Sequence, residues 1–392
     1  MKTGTAKQVL PLIVLAQFAC TSVWFAGNAV IGDISKQFSL EPDALAHLVS
    51  AVQLGFISGT LLFAIFTISD RFSPSKVFFI CAMAAAVANL SVFAATGLST
   101  ILFSRFVTGL CLAGIYPVGM KIAADYHKEG LGKALGWLVG ALVLGTAFPH
   151  LVHDFTTAVS WKWVILLSSG LAVAGGLLIL LFVADGPHRS RSTGFAPASF
   201  AKLFRNPRFR SAALGYFGHM WELYAFWAFV PVMLETYGRI HPEQSIDVPF
   251  FSFLIIGIGA IACIMGGYLS RYWGSARVAF LSLLLSGICC LLSALIFETG
   301  FPLFILFLAI WGMMVIADSP QFSTLVAQST PAELRGTALT ITNSIGFLVT
   351  IISIETMNVL RNQIDSRHLY LILAAGPVLG LLAMREQLKI SN

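Results

Sequence analysis

A histidine and a glutamate three residues apart, His219 and Glu222, lie in the middle of an apolar stretch that runs from Arg210 to Tyr237. A spacing of three places both side chains on one face of a helix. The stretch exceeds the roughly 20 residues that a helix needs to cross a bilayer. An ionisable pair at that depth is costly unless it faces a cavity or a partner. The pattern therefore predicts proton chemistry, in which the buried carboxyl group takes up and releases a proton and the imidazole one turn away shares it.

A second acid occurs late in the chain, in the apolar segment WGMMVIADSPQF, where Asp318 precedes Pro320. Proline disturbs a helix, and the neighbouring Ser319 and Gln321 could satisfy the backbone groups that it frees. We predict that Asp318 is a further acid of the proton site, across a cavity from Glu222. A structural role for either acid remains the alternative at this stage.

Other polar and aromatic residues inside apolar segments are candidates for binding a solute. These are Gln17, Trp24, Asn28, Arg105, Tyr116, Lys121, Trp221, Tyr224, Trp311 and Gln321. Arg105 could instead extend outward or bond to neighbouring helices, and Lys121 could be an ordinary interfacial lysine. We find no Ser/His/Asp, zinc-protease or nucleotide-binding pattern, and the six cysteines show no paired metal or redox spacing. The sequence thus predicts no enzyme activity, no metal and no cofactor.

The composition is that of a membrane protein. Hydrophobic residues make up 57% of the 392 and charged residues only 11%, whereas soluble domains average about 25% charged. The net charge of +6 belongs to short loops, so it does not indicate a nucleic-acid partner.

Hydropathy divides the chain into twelve predicted membrane spans, numbered here 1 to 12. They cover residues 8–31, 44–69, 75–96, 98–123, 131–153, 161–184, 210–236, 248–270, 276–297, 301–328, 335–359 and 367–387. One connection, 185–209, is long, polar and basic. We interpret it as a linker between an N-terminal bundle of six spans (1–184) and a C-terminal bundle of six (210–392).

The distribution of Lys and Arg predicts the orientation. With the N-terminus inside, 17 of the 24 Lys and Arg residues fall in inner loops or ends and five in outer ones, while Arg105 and Lys121 lie within span 4. We therefore expect both termini and the linker to be cytoplasmic, in a cell inner (plasma) membrane.

The two halves repeat one another around one loop. An offset of 201 residues aligns SDRFSPSK (69–76) with SRYWGSAR (270–277), so that Lys76 corresponds to Arg277. The loop after span 10, PAELRGTAL (331–339), likewise carries GTAL where span 5 begins with GKAL (132–135). The recurrence favours an internal duplication.

These loops resemble those of the major facilitator superfamily, whose loop between spans 2 and 3 carries an Asp-Arg pair followed by a basic residue. Asp70, Arg71 and Lys76 match that pattern, although Phe66 and Ser73 replace the expected glycines. Span 4 is similar to the family's Arg-x-x-x-Gly pattern at Arg105 and Gly109. The resemblance covers nearly the whole chain.

The resemblance implies an all-α membrane protein with two pseudo-symmetric six-helix bundles around a central cavity, lined by spans 1, 4, 7 and 10. It also implies alternating access. Charged residues at the cytoplasmic helix ends could then form a latch between the bundles, or simply be positive-inside anchors. They are Asp70, Arg71, Lys76, Arg271 and Arg277.

The sequence as a whole predicts a monomeric secondary active transporter. Its expected partners are the solute, protons and the lipid bilayer. We expect a small polar or anionic organic solute and coupling to protons, because basic and acidic residues both occur at cavity depth. One alternative is a proton-driven exporter of amphipathic compounds, which the aromatic residues favour. Span 5 lacks the Gly-Pro pair of the family's antiporter motif, which weakens that alternative. The other is a membrane receptor that transports nothing.

Overall fold

The computed structural model describes residues 6–40, 43–126, 131–156, 160–189, 202–331 and 334–391. The chain forms two compact units, Met1–Phe195 and Ala196–Asn392. The division falls within the predicted linker 185–209, of which residues 190–201 lie outside the described part.

Unit 1 contains spans 1 to 6. Its helices are Ala6–Thr21, Ala26–Ala29 and Ile31–Phe38 (span 1 and its outer extension), Ala44–Ile65 and Ile68–Arg71 (span 2), Pro74–Leu90 with the 3₁₀ turn Ser91–Ala94 (span 3), Leu98–Leu112 and Tyr116–Tyr126 (span 4), Leu131–Thr156 (span 5) and Lys162–Phe182 (span 6).

Unit 2 contains spans 7 to 12. Its helices are Pro207–Ile240 (span 7), Val248–Gly257 and Gly259–Trp273 (span 8), Ser275–Ile296 (span 9), Phe301–Ala317 and Ser319–Gln328 (span 10), Arg335–Leu360 (span 11), and the 3₁₀ segment Leu369–Ala374 followed by Ala375–Ser391 (span 12).

The described helices have the length and composition of a polytopic membrane protein. Nine helical stretches, four of which join two consecutive segments given above, are long and apolar enough to cross a bilayer, and two shorter apolar helices, Gln8–Thr21 and Leu369–Arg385, belong to spans 1 and 12. Span 7 is not among the nine, although at 34 residues it is the longest helix of the described chain. Its buried His219 and Glu222 and its Trp and Tyr residues lower its mean hydropathy. The fold is therefore all-α, with a twelve-helix, two-bundle layout.

Spans 1, 4, 8 and 10 are each interrupted within their predicted bounds. Span 4 breaks before Pro117 and span 10 breaks at Asp318, before Pro320. A proline lacks the amide hydrogen, and its ring clashes with the carbonyl group four residues earlier, so both breaks follow from the covalent structure of proline. Span 8 breaks at Ile258 between two glycines, which are weak helix formers. Span 1 breaks after Thr21 without a proline, and the contacts of Arg105 described below account for it.

Glycines allow particular spans to pack backbone against backbone. A Cβ atom on Gly55 would meet the carbonyl oxygen of Phe106, and one on Gly109 would meet that of Val52, so spans 2 and 4 touch directly. In unit 2, Gly218 and Gly376 bring spans 7 and 12 together in the same way. Small residues at such crossings are typical of membrane helix bundles. In unit 2 this packing fixes span 7, which carries the candidate site.

Candidate functional site

A buried ion pair joins spans 7 and 10. The Nδ1 atom of His219 lies 2.8 Å from Oδ1 of Asp318, and the two side chains are 1% and 0% exposed. Within the described residues, neither His219 Nε2 nor Asp318 Oδ2 has a hydrogen-bonding partner. The pair therefore keeps one nitrogen and one oxygen available for a proton, a water molecule or a solute.

The break in span 10 places Asp318 between two helices and beside His219. Asp318 ends the helix Phe301–Ala317, and its carbonyl oxygen accepts hydrogen bonds from the amides of Gln321 and Phe322, both at 2.9 Å. The carboxylate thus sits at the N-terminus of Ser319–Gln328, where the helix dipole favours negative charge. The ring of Phe322 packs 5.9 Å from that of His219, between centroids.

Glu222 occupies a separate cluster of donors. Its Oε1 accepts from the indole Nε1 of Trp311 at 2.6 Å and from the thiol of Cys290 at 3.2 Å, while its Oε2 accepts from Ser286 at 2.9 Å. Glu222 is buried, and its donors come from spans 9 and 10. Both carboxyl oxygens are consequently engaged inside unit 2.

These contacts include two partners that the sequence did not predict. His219 Nδ1 lies beside Asp318, whereas the described hydrogen bonds of Glu222 come from Trp311, Cys290 and Ser286. The sequence predicts that Trp311 contacts solute. In the structure its side chain is fully buried, and its single N–H group donates to Glu222.

Sequence reasoning missed the two donors from span 9. Ser286, Cys290 and Ser293 recur at intervals of four and three, which is the spacing of one helix face. A stripe of small polar residues in an otherwise apolar span was the available signal. It indicates a face that meets a polar partner, although it does not identify Glu222 as that partner.

Arg105 is the buried cation of unit 1. Its guanidinium donates to the carbonyl oxygen of Val23 and to Oδ1 of Asn89, each at 3.1 Å, and also to the carbonyl oxygen of Trp24. Val23 and Trp24 lie in the break in span 1, which covers residues 22–25, and Arg105 supplies hydrogen bonds to their carbonyl groups. Of the alternatives for Arg105, the structure shows bonding to neighbouring helices.

Among the described residues of unit 1, three amide side chains are buried without hydrogen bonds. Gln17 and Gln53 are 0% exposed and Asn28 is 5% exposed. Both polar atoms of each amide lack a partner in the part of the chain that is described. A buried amide without partners costs free energy, so these groups are suited to accept hydrogen bonds from water or a polar solute.

The remaining candidates have mixed surroundings. Trp221 donates to the carbonyl oxygen of Ile372 at 3.2 Å, within unit 2, and the ring of Tyr224 packs against Trp227 and Phe347. Gln321 and Trp24 are buried, whereas Tyr116 and Lys121 are partly exposed on the second half of span 4.

The loop residues predicted to form a latch are mostly exposed. Arg71, Lys76 and Arg277 are exposed, and the guanidinium of Arg271 lies 5.9 Å from the ring centre of Tyr268. The side chain of Asp70 lies outside the described residues. The same loop makes a contact that the sequence did not suggest: Ser73 donates to Asp185 at 2.6 Å, and Asp185 pairs with Arg189. The chain after span 6 is thereby tied to the loop after span 2.

Among the described residues, no group of three or more His, Cys, Asp or Glu side chains could hold a metal ion.

Comparison with known proteins gives a consistent family. The sequence profile of the Major Facilitator Superfamily matches residues 13–354. The efflux pump FUBT of Fusarium oxysporum is 28% identical over 156 residues, which is 38% of this chain and 26% of that protein. The niacin transporter NiaP of Acinetobacter baylyi is 32% identical over 133 residues, or 31% of this chain and 29% of the relative. The matches thus span less than a third of these relatives.

A solved structure extends the likeness to the whole fold. The proton:xylose symporter XylE superposes on 97% of this chain and 95% of its own with a TM-score of 0.76, at 13% sequence identity.

Proposed function

This chain belongs to the major facilitator superfamily, and we propose that it is a secondary active transporter in which a proton gradient drives a small polar or anionic organic solute across the membrane. The family consists of transporters rather than enzymes. The direction of transport, the solute and the coupled proton are the proposed parts.

One observation carries the proton coupling, namely the His219–Asp318 pair at the break in span 10. Without a bound proton the pair consists of a neutral imidazole and a carboxylate, with a net charge of −1. With one proton it has no net charge, whether the proton resides on the ring or on the carboxyl group. Burial of a net charge in a membrane is costly, so proton loading favours a closed site and proton loss favours one open to water.

Solute binding is assigned first to the three buried amides that have no hydrogen-bonding partner among the described residues. The amides of Gln17 and Asn28 can donate to or accept from a polar solute, and Gln53 adds a third amide. Lys121 and Tyr116 supply a cation and a hydroxyl group on span 4, which would suit an anionic solute. Gln321, Trp24, Trp221 and Tyr224 complete the proposed set. We assign Arg105 and Trp311 to structural roles.

Alternating access is the mechanism proposed for a chain of this family. Asp70, Arg71, Lys76, Arg271 and Arg277 would stabilise one of two alternating states through contacts at helix ends. The protein would act as a monomer in a cell inner membrane with both termini in the cytoplasm.

A second candidate is the export of amphipathic compounds. It is favoured by the similarity to the efflux pump FUBT and by the buried aromatic contacts of Tyr224 with Trp227 and Phe347. Aromatic faces bind apolar rings and organic cations.

The experiment combines ligand screening with transport. Thermal unfolding of the purified protein is measured with niacin, other organic anions, sugars and aromatic cations, because a ligand that binds the folded state raises the unfolding temperature. Each hit is then offered to proteoliposomes with and without an imposed pH gradient. Uptake that follows the gradient and stops with a protonophore supports the proposal. Uptake that reaches only equilibrium in every condition contradicts proton coupling. Proton-driven movement of aromatic cations in the direction that corresponds to export from the cell supports the exporter.

A further inference from the structure

Unit 2 contains a polar pocket whose described lining includes neither His219 nor Glu222. It has a volume of about 490 Å³ and lies where the start of span 7, the turn between spans 8 and 9, and the end of span 10 meet. Arg208, Trp273, Arg277 and Gln328 contribute side chains to its lining. Asn206 holds two of these elements together, since its Oδ1 accepts from the amide of Arg208 at 3.0 Å and its Nδ2 donates to the carbonyl oxygen of Ser329 at 3.1 Å.

The pocket suits an anion. Its described lining includes two arginines and no Asp or Glu. Span 9 begins at Ser275 after Gly274, which has no side chain that could cap the first amides of the helix. One arginine guanidinium group can bind two phosphate oxygens at once. The start of the helix adds amide donors and a favourable dipole. A phosphate group is therefore the ligand chemistry that these groups recognise.

The helices that lead to the pocket indicate where the phosphate comes from. On span 9, exposed apolar side chains follow Arg277 along one helix face, at Leu281, Leu285, Ile288, Leu292 and Leu295. On span 8, a second exposed row ends next to the pocket, at Ile261, Met265, Tyr268 and Tyr272. In a membrane protein such rows face acyl chains.

Two aromatic residues mark the level of the headgroups. Tyr272 is 84% exposed and Trp273 is 51% exposed, at the end of span 8. Trp and Tyr are enriched at membrane interfaces, where one end of the ring system is apolar and the other is wet. A molecule that places acyl chains on Leu281 and Leu285 would therefore bring its headgroup to Arg277.

We propose that this pocket binds the phosphate headgroup of an anionic phospholipid, with Arg208 and Arg277 as its cationic ligands and the exposed faces of spans 8 and 9 as the surface for its acyl chains. The proposal is independent of the transported solute and of proton coupling.

The test uses the full-length protein in nanodiscs of phosphatidylcholine, to which phosphatidylglycerol is added in steps. We expect phosphatidylglycerol to raise the unfolding temperature and to be retained as adducts in native mass spectrometry. The shift and the adducts should fall by about half in Arg208→Gln and in Arg277→Gln and disappear in the double variant. Arg271→Gln is the matched control, because Arg271 is an exposed arginine at the end of span 8 that is not part of the described pocket lining.

Other results would overturn the proposal. An unchanged shift in both single variants would do so, as would an equal loss in Arg271→Gln, which would indicate a diffuse electrostatic effect. Inorganic phosphate is added to the protein in detergent as a separate arm. If phosphate alone produced the full shift, the ligand would be a soluble anion and not a lipid.

Discussion

The Nδ1 atom of His219 lies 2.8 Å from Oδ1 of Asp318. Glu222 follows His219 by one turn of span 7, and it accepts a hydrogen bond from Trp311, which precedes Asp318 by two turns of span 10. Residue numbers rise along one helix as they fall along the other, so the two spans run antiparallel through both contacts. The arrangement gives the two acids different surroundings. Asp318 keeps an oxygen without a described partner, whereas both oxygens of Glu222 accept hydrogen bonds. The contacts therefore favour Asp318 over Glu222 as the group that exchanges protons with water.

The first prediction concerns Asp318→Asn. Asparagine can still accept a hydrogen bond from His219, but it cannot carry a negative charge, so the site would no longer pass from a net charge of −1 to 0 when it takes up a proton. We expect accumulation of solute under a pH gradient to fall at least tenfold while exchange of labelled for unlabelled solute persists. Both are measured in proteoliposomes.

Glu222→Gln is the matched variant for that measurement, because it neutralises a buried acid one turn from His219. We expect it to retain at least half of the accumulation. Loss of accumulation in Glu222→Gln with normal behaviour of Asp318→Asn would return the proton site to Glu222, as the sequence alone suggested.

The second prediction concerns the stabilising role of Glu222. Replacement by leucine leaves the indole of Trp311 and the hydroxyl of Ser286 without their acceptor, at a cost of about 1–3 kcal/mol for each buried group left unsatisfied. Glutamine keeps an acceptor for Trp311, and its amide can donate to Ser286, so the loss should be smaller. The free energy of unfolding of both variants in detergent measures the difference.

A double-mutant cycle with Trp311→Phe isolates the contact. Removal of the indole donor should recover part of the stability that Glu222→Leu loses. Strictly additive effects of the two substitutions would show that the hydrogen bond between them contributes nothing.

The span count and the two-bundle layout were predictable because hydropathy and loop charge are properties of local sequence. The breaks near Pro117 and Pro320 also had a local signal, since proline interrupts a helix for a known steric reason. The break after Thr21 had no local signal, because the carbonyl group of Val23 within it accepts a hydrogen bond from Arg105, which is 82 residues later in the sequence. Likewise, sequence identified His219, Glu222 and Asp318 as buried ionisable residues but could not pair them, because pairing depends on the rotation of span 7 against span 10.

The third prediction concerns topology. Gln244 and Lys202 are both exposed, and the Lys and Arg distribution places the first outside and the second inside. Gln244→Cys in intact cells should react with a membrane-impermeant maleimide, whereas Lys202→Cys should react only after permeabilisation. Background labelling should be low, since five of the six native cysteines are buried and Cys81 is only partly exposed. The reverse pattern would invert the proposed orientation.

The last prediction concerns Arg105 as the brace of unit 1. Arg105→Met removes the donors to Val23, Trp24 and Asn89 at once while keeping a side chain of similar length. Each buried acceptor left without a donor costs about 1–3 kcal/mol, so the loss of stability should exceed that of any single hydrogen bond. Arg105→Lys keeps the charge but has a single ammonium group, which cannot reproduce the planar guanidinium contacts with both carbonyl groups and the amide. We therefore expect both variants to lower the unfolding temperature, Met more than Lys, while Lys36→Gln, which changes an exposed cation of the same unit, leaves it unchanged. If Arg105→Met unfolded at the native temperature but bound an anionic solute more weakly, Arg105 would be a solute ligand instead of a brace.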